Sequence, residues 1–485
     1  MNSETRQKLK EKLNGRVSFE KADLMVYQSD IAGMPGIIMS CIDFAPEAAV
    51  VASSVQDVAS TLKIAAETNT PVTPRGQGSS GYGGSIPTKS GILLDLTTMD
   101  RILNVDESKL IVDVEPGVIW NNLSHELLKK GMDNKIYPTS APSSTVAGWL
   151  AQGGQGIGSL KYGSIRDVVE EVDVVGLDGN VNTYKGDDAD LYESTCGIIG
   201  VITRVRLACR KAEGIRPFSV TLPNANAVQK FVLKTKKELD PYTLILHSPG
   251  YVQMRKESGS DEPIPEGAYL VIVGVEESSA DPAKMGIAAE ECGGYLQADH
   301  IAQSEWDMRC YPMRIKKLGP DLVVSEFYLP EDRFADAWNE IERDLSADLV
   351  GMEAVAVSGN RIAVLTYILD NAEEFLYHLR VSKSVRAIQI AKRFGGSIYS
   401  AGLWFAISSK DVLGDEKYDR VMKIKKEIDS GNLLNPGKIT APKVKWLPFI
   451  DVCTFMTIGS QIVLPLGKIL TYKRPKIKSM EKINE

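Results

Sequence analysis

Glycine is concentrated in one part of this 485-residue chain. Of its 41 glycines, 19 lie between Gly76 and Gly200. Because glycine has no Cβ, it adopts left-handed backbone conformations and lets the main chain come close to a ligand. The sequence therefore predicts several tight loops in the N-terminal half, from which backbone groups can surround a bound molecule.

Composition sets the broad class and excludes several functions. The chain is 43% apolar and 25% charged, which is ordinary for a globular protein of two or three domains. Its net charge of −7 is spread along the chain, so no nucleic-acid partner is expected. The polar start, Met1–Arg16, predicts a cytoplasmic location without a secretory signal. The six cysteines are scattered without a CxxC pair, so neither an iron–sulfur cluster nor a zinc site is expected.

Hydrophobic periodicity predicts an α+β fold built from successive segments. Residues 1–45 have the pattern of an N-terminal helical segment, and residues 46–212 alternate helices with short apolar strands around the glycine loops. Residues 213–410 alternate longer strands with amphipathic helices, which is typical of an antiparallel sheet covered on one side. A last helix within residues 411–440 precedes a tail, residues 441–485, that is first apolar and then basic.

The tail leaves three interpretations open. Trp446–Leu470 contains only Asp451 and Lys468 as charges, and its uncharged core is 16 residues long. Because a spanning helix needs about 20 apolar residues, a membrane span is the least favoured. A buried C-terminal element or a subunit interface is favoured most. Peripheral membrane contact through residues 446–470, with the basic Lys473–Lys478 beside it, is the other alternative.

The first glycine loop, Gly76–Gly81, matches the dinucleotide fingerprint GxGxxG. That fingerprint requires a helix directly after the glycines, and Tyr82–Gly91 is too rich in Gly and Pro to form one. The loop is instead suited to hold an anion with successive backbone N–H groups and with the hydroxyls of Ser79 and Ser80. A purely structural loop of several turns is the alternative.

Two further segments have the same character. Pro138–Gly148 is dense in small hydroxyl residues and continues into the glycine cluster Gly153–Gly163, and Gly197–Thr203 opens a strand. Three such segments would let the backbone approach a large flat ligand from several sides.

Together these motifs resemble the FAD-binding domain of the vanillyl-alcohol oxidase superfamily, also called the PCMH-type domain. The order PxxPRGxGxS, a Pro/Ser/Thr segment into a glycine cluster ending KYG, and GxxGVIT is present across residues 46–212. Leu434–Lys438 is similar to the LNPGK segment with which the family returns to this domain, so residues 213–410 correspond to the cap. The resemblance implies a two-subdomain FAD domain and these cofactor-binding residues: Pro74, Arg75, Gly76, Gln77, Gly78, Ser79, Ser80, Gly81, Pro138, Ser143, Ser144, Thr145, Gly148, Gly153, Gly154, Gly156, Ser159, Tyr162, Gly200, Val201, Ile202 and Asn435.

The same resemblance implies that FAD is bound without a covalent link. Family members that tether FAD carry a His in the first glycine loop, and some add a Cys near the second. Ser79 and Ser80 stand in the first place, and Gly153–Gly163 contains no Cys.

The cap is similar to the branch of the glycolate oxidase D subunit and D-lactate dehydrogenase, which oxidises α-hydroxy acids. Trp306–Arg309 matches its WxxR, Ser358–Asn360 resembles its GDGN turn, and Gly395–Ile398 resembles its GGSI entry. This resemblance implies that Arg309 holds a substrate carboxylate, and pairing of Arg309 at the surface is the alternative.

The chain departs from that branch where a divalent metal would bind. The branch uses His residues that flank GDGN and an EHG motif after GGSI, whereas Val355, Ile362 and Tyr399–Trp404 stand there. The four histidines, His125, His247, His300 and His378, form no ligand pair in the sequence. Neither a bound metal nor a histidine base is therefore expected.

Two functions remain open. In the first, an FAD-dependent enzyme oxidises a CH–OH group of a small-molecule substrate, such as a hydroxy acid, by hydride transfer. Arg309 anchors the substrate, Tyr399 or Tyr367 assists proton removal, and Trp404 lines the pocket. In the second, the chain is a flavin-bearing, substrate-inactive subunit that relays electrons or shapes a larger dehydrogenase complex. In the first case the electrons pass to oxygen, to a quinone, or to an iron–sulfur or electron-transfer flavoprotein subunit, and residues 446–470 are the candidate docking segment.

Overall fold

The computed structural model describes residues 1–13, 15–31, 36–260, 263–310, 312–319, 321–370, 377 and 380–467. His378 and the basic segment Lys473–Lys478 lie outside these residues. The described chain forms two smaller sheets with their helices, one large sheet that covers them, and a two-stranded sheet near the C-terminus.

The first sheet places the first glycine loop at the end of a buried strand. Its strands are β1 (Val17–Ser18), β2 (Ala48–Val51), β3 (Val72–Arg75) and β4 (Ile92–Asp95), in the order β1-β2-β4-β3, and its helices are α1 (Ser3–Lys12), α2 (Lys21–Met25), α3 (Gly36–Met39) and α4 (Val55–Glu67). Strands β2 and β3 both run parallel to β4. Loops that follow parallel strands meet at the carboxyl edge of the sheet, and Gly76–Gly81 starts at that edge, directly after β3.

The second sheet brings the other glycine segments to the same side. Its strands are β5 (Ile102–Asp106), β6 (Ile111–Val114), β7 (Met132–Asn134), β8 (Val169–Val175), β9 (Val181–Lys185) and β10 (Val201–Lys211), with helices α5 (Trp120–Leu128), α6 (Val146–Gln152), α7 (Ser159–Tyr162), α8 (Ile165–Val168) and α9 (Asp187–Asp190). The order is β5-β6-β10-β8-β9, with β7 also paired to β10. Because β10 lies between β6 and β8, the segment before Val201 enters at the middle of the sheet.

The cap is an eight-stranded sheet in which every pairing is antiparallel, as the sequence predicted. Its strands are β11 (Ile215–Leu222), β12 (Thr243–His247), β13 (Tyr269–Glu276), β14 (Tyr295–Leu296), β15 (Asp321–Pro330), β16 (Gly351–Val357), β17 (Arg361–Asp370) and β18 (Ser397–Ile398), in the order β14-β11-β13-β12-β16-β17-β15-β18. Its helices are α10 (Ala225–Glu238), α11 (Pro249–Glu257), α12 (Pro282–Glu291), α13 (Asp299–Asp307), α14 (Phe334–Asp344) and α15 (Ser382–Arg393), with 3₁₀ turns at Glu277–Ser279, Pro312–Leu318 and Glu331–Arg333.

The two faces of the cap sheet have different neighbours, because side chains alternate along each strand. One face packs its apolar side chains, such as Phe327 and Val364, against α10, α12, α14 and α15. The opposite face carries Ile245, Val355 and Ala363 into the core of the second sheet and its helices. The cap sheet therefore faces the glycine segments directly.

The chain then returns to the first sheet. After a 3₁₀ turn at Ala406–Ser408, helices α16 (Ser409–Leu413) and α17 (Asp415–Ile428) precede strands β19 (Lys443–Val444) and β20 (Leu447–Asp451) and the last helix, α18 (Val452–Gly467). Between α17 and β19, the backbone of Leu433 accepts a hydrogen bond from Val72 N, and Asn435 N donates to Val72 O, both at 2.8 Å.

Candidate active site

The first glycine loop presents a row of backbone donors that the protein leaves free. Within the described residues, the N–H groups of Gln77–Gly81 donate no hydrogen bond to a protein acceptor. Gln77 is exposed, but Gly78–Gly81 are half-buried, and half-buried N–H groups are normally paired. This run of consecutive unpaired donors therefore indicates that an acceptor from outside the chain fits here.

Thr145 explains why two positions around this loop are glycine. Its hydroxyl accepts from Gly148 N at 3.1 Å and so caps α6. A Cβ built at Gly76 or at Gly148 would lie 2.6 Å from the same oxygen, Thr145 Oγ1. Residue size, and not backbone conformation, therefore requires glycine here, because the first loop and the start of α6 are in close contact.

Hydroxyl and amide side chains connect the first loop to the second segment. Ser79 Oγ lies 3.0 Å from Ser144 Oγ, which is 2.6 Å from Ser140 Oγ. Ser80 Oγ donates to Gln152 Oε1 at 3.2 Å. These contacts hold hydroxyl groups beside the free N–H row, where they are further donors to an anion.

Asn435 fixes the third segment from behind. Its Nδ2 donates to Gly84 O at 2.9 Å and to Cys196 O at 2.7 Å, so one buried amide joins the chain just after the first loop to the residue just before the third segment. Its Oδ1 is buried and has no partner among the described residues. Lys438, from the same LNPGK segment, is fully buried with its Nζ on Ile86 O, and burial lowers its pKa to about 7.

All three segments and the cap sheet enclose one cavity of about 570 Å³. Most of the residues predicted to bind FAD line it: Pro74, Arg75, Gly76, Gln77, Gly78, Ser79, Ser80, Gly81, Pro138, Ser143, Ser144, Thr145, Gly148, Gly153, Gly156, Gly200, Val201 and Ile202.

Four predicted residues lie beside the cavity and do not line it. Gly154 packs against Tyr399, whose Oη would be 2.4 Å from a Cβ at that glycine. Ser159 Oγ accepts from the backbone of the second loop, and the Tyr162 hydroxyl donates to Glu276 Oε1 of the cap at 3.1 Å. Asn435 lies behind the loops as described above.

This donor set fits FAD. A diphosphate needs several donors without a competing acceptor, which the free N–H row and the adjoining serine hydroxyls provide. An isoalloxazine ring needs an extended apolar space, which the wall of Val201, Ile202 and Tyr399 offers.

The floor of the cavity is a row of residues across neighbouring strands of the cap. Glu326 of β15 and Glu353 of β16 are both registered opposite Leu365 of the strand between them, β17. His247 of β12 is opposite Glu353 on the other side. Residues in register on adjacent strands point to the same face, so two carboxyl groups and an imidazole share one line, and both carboxyl groups line the cavity.

Glu326 is held by one hydroxyl group. The Tyr82 hydroxyl donates to Glu326 Oε2, and burial raises the pKa of Glu326 to about 7 while this hydrogen bond opposes the rise. Tyr82 stacks on Tyr399 with 6.4 Å between ring centroids, and Tyr328 lies 5.0 Å from Tyr399. A carboxyl group with such a pKa can accept or release a proton near neutral pH.

Glu353 belongs to a more crowded cluster. Burial raises its pKa to about 7, against the effects of the Tyr251 hydroxyl and of the Arg255 and Arg314 charges. His247 Nε2 lies 3.9 Å from its carboxylate, and burial together with Arg255 keeps the pKa of His247 well below its ordinary value. This histidine is therefore neutral. Arg255 itself makes a buried bidentate pair with Glu305 at 2.6 and 2.9 Å.

The three predicted catalytic residues are not together. Tyr399 lines the cavity, but its hydroxyl donates to Gln155 O at 2.7 Å and accepts from Gln155 N at 3.0 Å, and burial raises its pKa well above 10. It is a fixed, protonated hydroxyl group.

Arg309 and Tyr367 lie outside the cavity lining. The Arg309 guanidinium donates to Tyr137 Oη at 2.8 Å and to Trp306 O at 2.7 Å, and it stacks on the Trp306 ring at 4.3 Å. Tyr367 is fully buried against Tyr251, and its hydroxyl has no partner among the described residues. Internal aromatic and backbone groups surround both side chains, so the predicted contacts of Arg309 and Tyr367 with substrate stay predictions.

Glu326, Glu353 and Tyr82 were missed in the sequence. A signal was present for the two carboxylates: each stands in the middle of a largely apolar strand segment, and a charge there is costly unless it has a role or a partner. Nothing local in the sequence distinguishes Tyr82, because its contact with Glu326 joins residues 244 positions apart.

The positions that carry metal ligands in the related branch hold apolar side chains here. Val355 lines the cavity, and Ile362 points to the opposite face of the sheet, into the helix-covered core. Among the described residues, no group of three or more His, Cys, Asp or Glu side chains is arranged to hold a metal ion.

Helix α18 forms part of the cavity wall and also carries exposed apolar residues. Cys453, Met456 and Thr457 line the cavity, whereas Ile462 is 71% exposed, as is Phe449 of β20 at 74%. No helix in the described part of the chain has the length and hydropathy to cross a bilayer.

Comparisons with known proteins agree with this geometry. Residues 46–184 match the family model described as FAD binding domain, and residues 211–439 match that of FAD linked oxidases, C-terminal domain. Relatives include glycolate oxidase subunit GlcD of Bacillus subtilis, 25% identical over 82% of this chain and 89% of the relative. Another is D-lactate dehydrogenase of Archaeoglobus fulgidus, which is 23% identical over 80% of this chain and 90% of the relative.

Solved structures give the fold. Alkyldihydroxyacetonephosphate synthase superposes with a TM-score of 0.73 at 16% identity over 90% of this chain and 85% of that one. The structure of p-cresol methylhydroxylase with substrate bound superposes with a TM-score of 0.72 at 16% identity, over 90% of this chain and 96% of that one. With both family models matched in order, the chain belongs to the FAD-linked oxidases and dehydrogenases that have a PCMH-type FAD-binding domain.

Proposed function

We propose that the protein oxidises the CH–OH group of a hydroxy acid or a related small molecule, with non-covalently bound FAD, and passes the electrons to a partner. The observation that carries this proposal is that the free donors of Gln77–Gly81 and the titratable Glu326 line the same cavity. Relatives named as glycolate oxidase and D-lactate dehydrogenase support oxidation at a carbon that bears a hydroxyl group.

The glycine segments bind the cofactor in this proposal. The N–H groups of Gln77–Gly81 donate to the diphosphate, with the hydroxyls of Ser79 and Ser144 as further donors. Bound FAD supplies a two-electron acceptor for the substrate hydride.

Aromatic side chains of the wall exclude water from the reacting carbon. Tyr82 contacts Phe405 with 6.2 Å between ring centroids and also stacks on Tyr399, and Trp404 continues the same wall. Burial raises the pKa of both Tyr82 and Tyr399 well above 10, so these hydroxyls orient neighbouring groups and do not act as bases.

Non-covalent binding is supported by the chemistry of the lining. Cys196 and Cys453 line the cavity, and burial raises the pKa of these thiols to about 12 and about 11. A thiol is a poor nucleophile compared with its thiolate, so neither cysteine is prepared to attack the flavin. Acid precipitation should therefore release all of the flavin into the supernatant. A protein pellet that retains flavin fluorescence would show a covalent link.

Electrons leave through the apolar surface next to the cavity in this proposal. Phe449 and Ile462 are exposed on the segment that also lines the cavity through Met456. This surface suits a quinone, the apolar patch of an electron-accepting subunit, or peripheral contact with a membrane. We assign the protein to the cytoplasmic compartment, with attachment to such a partner.

Anaerobic flavin reduction tests the proposal. The purified flavoprotein is mixed with glycolate, D-lactate, L-lactate and a broad panel of alcohols and amines, and loss of the oxidised flavin absorbance is followed. Reduction by at least one C–OH compound is expected, and dithionite serves as the control that the flavin can be reduced. If dithionite alone reduces the flavin, the protein is a subunit without substrate oxidation, which is the alternative function.

A further inference from the structure

The floor of the cavity differs in charge from a site built for a carboxylate substrate. Glu326 and Glu353 are registered on either side of Leu365, and strands lie about 4.8 Å apart, so the two carboxyl groups project from positions about 10 Å apart. A substrate carboxylate placed between them would face two carboxyl groups, which repel it whenever they are ionised.

Within the described part of the chain, Glu326 forms no ion pair with a basic side chain. The only side chain that hydrogen-bonds it among the described residues is Tyr82, a neutral donor. Glu353 has Arg255 and Arg314 near it, but Arg255 is already engaged in its bidentate pair with Glu305.

The basic side chains that line the cavity are bound to other elements. Arg75 donates to Ser29 O at 2.8 Å, Lys316 Nζ lies 3.5 Å from Ile31 O, and Lys392 Nζ lies 3.4 Å from Asp411 Oδ2. Arg309, the predicted carboxylate anchor, is outside the lining and engaged with Tyr137. None of these cations hydrogen-bonds either carboxyl group of the floor.

We propose that the polar end of the substrate is a hydroxyl or amino group that donates a hydrogen bond to Glu326, so that alcohols and amines are oxidised in preference to 2-hydroxy acids. This inference rests on the proposed oxidation and names its substrate class. With FAD bound, the carbon would lose its hydride, with two electrons, to the cofactor. The O–H or N–H proton passes to the Glu326 carboxylate, and a C=O or C=N bond forms. Glu326 can therefore accept this proton, whereas Tyr82 and Tyr399, which stay protonated, cannot.

Matched compounds isolate the charge of the substrate. Lactate is compared with propane-1,2-diol and 1-aminopropan-2-ol, and mandelate with 1-phenylethane-1,2-diol and 2-amino-1-phenylethanol, by anaerobic flavin reduction. The diol or amino alcohol should reduce the flavin at least about tenfold faster than the acid. Glu326→Gln should slow its reaction by about a hundredfold or more, which is the range of general-base catalysis.

Glu342→Gln is the matched control. Glu342 is also half-buried with a raised pKa and also hydrogen-bonded to a tyrosine hydroxyl, Tyr269 Oη at 3.2 Å, but it does not line the cavity. This variant should keep the wild-type rate. Flavin content of both variants should match the wild type, and neither variant should melt at a lower temperature than the wild type, which excludes misfolding as the cause.

Binding without oxidation gives a second readout. The compounds 2-methylpropan-2-ol, tert-butylamine and 2-hydroxy-2-methylpropanoate have no hydrogen on the carbinol or amine carbon, and their binding is measured by the perturbation of the flavin spectrum. The alcohol or the amine should bind more tightly than the acid, and Glu326→Gln should weaken that binding while Glu342→Gln does not.

The outcomes separate this inference from the proposed function. If 2-hydroxy acids reduce the flavin best, or if Glu326→Gln acts like Glu342→Gln, the inference is wrong and the proposed oxidation stands. If no compound reduces the flavin, the proposed oxidation fails and the preferred oxidation of alcohols and amines fails with it, even where Glu326-dependent binding of tert-butylamine supports the hydrogen bond to Glu326. If neither the alcohol nor the amine binds, the inference is wrong.

Discussion

Replacing Glu326 with Gln should stabilise the protein, and the gain should depend on pH. Burial raises the pKa of this carboxyl group from 4.5 to about 7. The folded protein therefore holds the proton more tightly than the unfolded chain. Stability from this group is fully present below about pH 4.5 and is lost progressively as the pH rises to about 7.

The size of the effect follows from the shift. A difference of about 2.5 pKa units, at 1.36 kcal/mol per unit, makes the charged group cost about 3 kcal/mol at high pH. Gln carries no charge and can still accept from the Tyr82 hydroxyl. The advantage of Glu326→Gln in the free energy of unfolding should therefore grow by about 2 to 3 kcal/mol between about pH 5 and pH 8.5.

Urea unfolding of the FAD-saturated wild type and variant at several pH values measures this difference. The two curves should nearly coincide in midpoint at pH 5 and separate steadily above it. A constant difference at all pH values, or a variant that loses stability as the pH rises, would refute the reasoning, because Glu326 would then be charged at low cost and would have a partner beyond Tyr82.

Three further changes test other parts of the site. Gly76→Ala would place a Cβ 2.6 Å from Thr145 Oγ1, so FAD affinity should fall at least about tenfold in a flavin titration. The double variant Gly76→Ala/Thr145→Ala should regain part of that affinity. Unchanged affinity in the single variant would contradict the close contact. Burial lowers the pKa of Lys438 from 10.5 to about 7, so the free-energy cost of burying this lysine increases as the pH falls through that range. In urea unfolding, Lys438→Met should therefore gain more stability at about pH 6 than at about pH 10. An equal gain at both pH values would contradict a charged, buried lysine. Phe449→Ser and Ile462→Ser should leave folding and flavin content unchanged but weaken binding to an electron acceptor or to anionic vesicles at least about tenfold. Co-sedimentation with vesicles and the rate of quinone reduction measure this binding. If binding is unaffected, this surface is not the docking site.

The FAD side of the cavity could be read from the sequence because its chemistry is local. Glycines, serines and prolines that follow one another in Gly76–Gly81 and in Pro138–Gly148 already specify loops with exposed N–H groups. Only the mutual arrangement had to come from the fold, and the parallel pairing of β3 with β4 places the first loop at a sheet edge that a sequence pattern cannot locate.

The cap side could not be read in the same way, because its functional positions depend on strand register. Glu326 and Glu353 are neighbours only because both are opposite Leu365, and a shift of one residue in either strand would turn its side chain to the helix-covered face. Arg309 shows the converse. Its WxxR motif is present, yet the Arg309 guanidinium is hydrogen-bonded to Tyr137. The two residues are 172 positions apart in the sequence, so no local pattern indicates this contact.

The residues of the cap floor also limit how the proton and the hydride can move. A metal ion would lower the pKa of a substrate hydroxyl before the hydride leaves, but Val355 and Ile362, at two of the ligand positions of the related branch, carry no ligand atom. A carboxylate with a pKa of about 7 cannot remove a proton from an unactivated alcohol to a useful extent. Glu326 can receive that proton only as the C–H bond breaks and the hydroxyl becomes acidic. The arrangement of Tyr82 and Glu326 is therefore suited to proton transfer in the same step as hydride transfer, and the pKa of Glu326, set by burial and one hydrogen bond, determines the pH range in which that step proceeds.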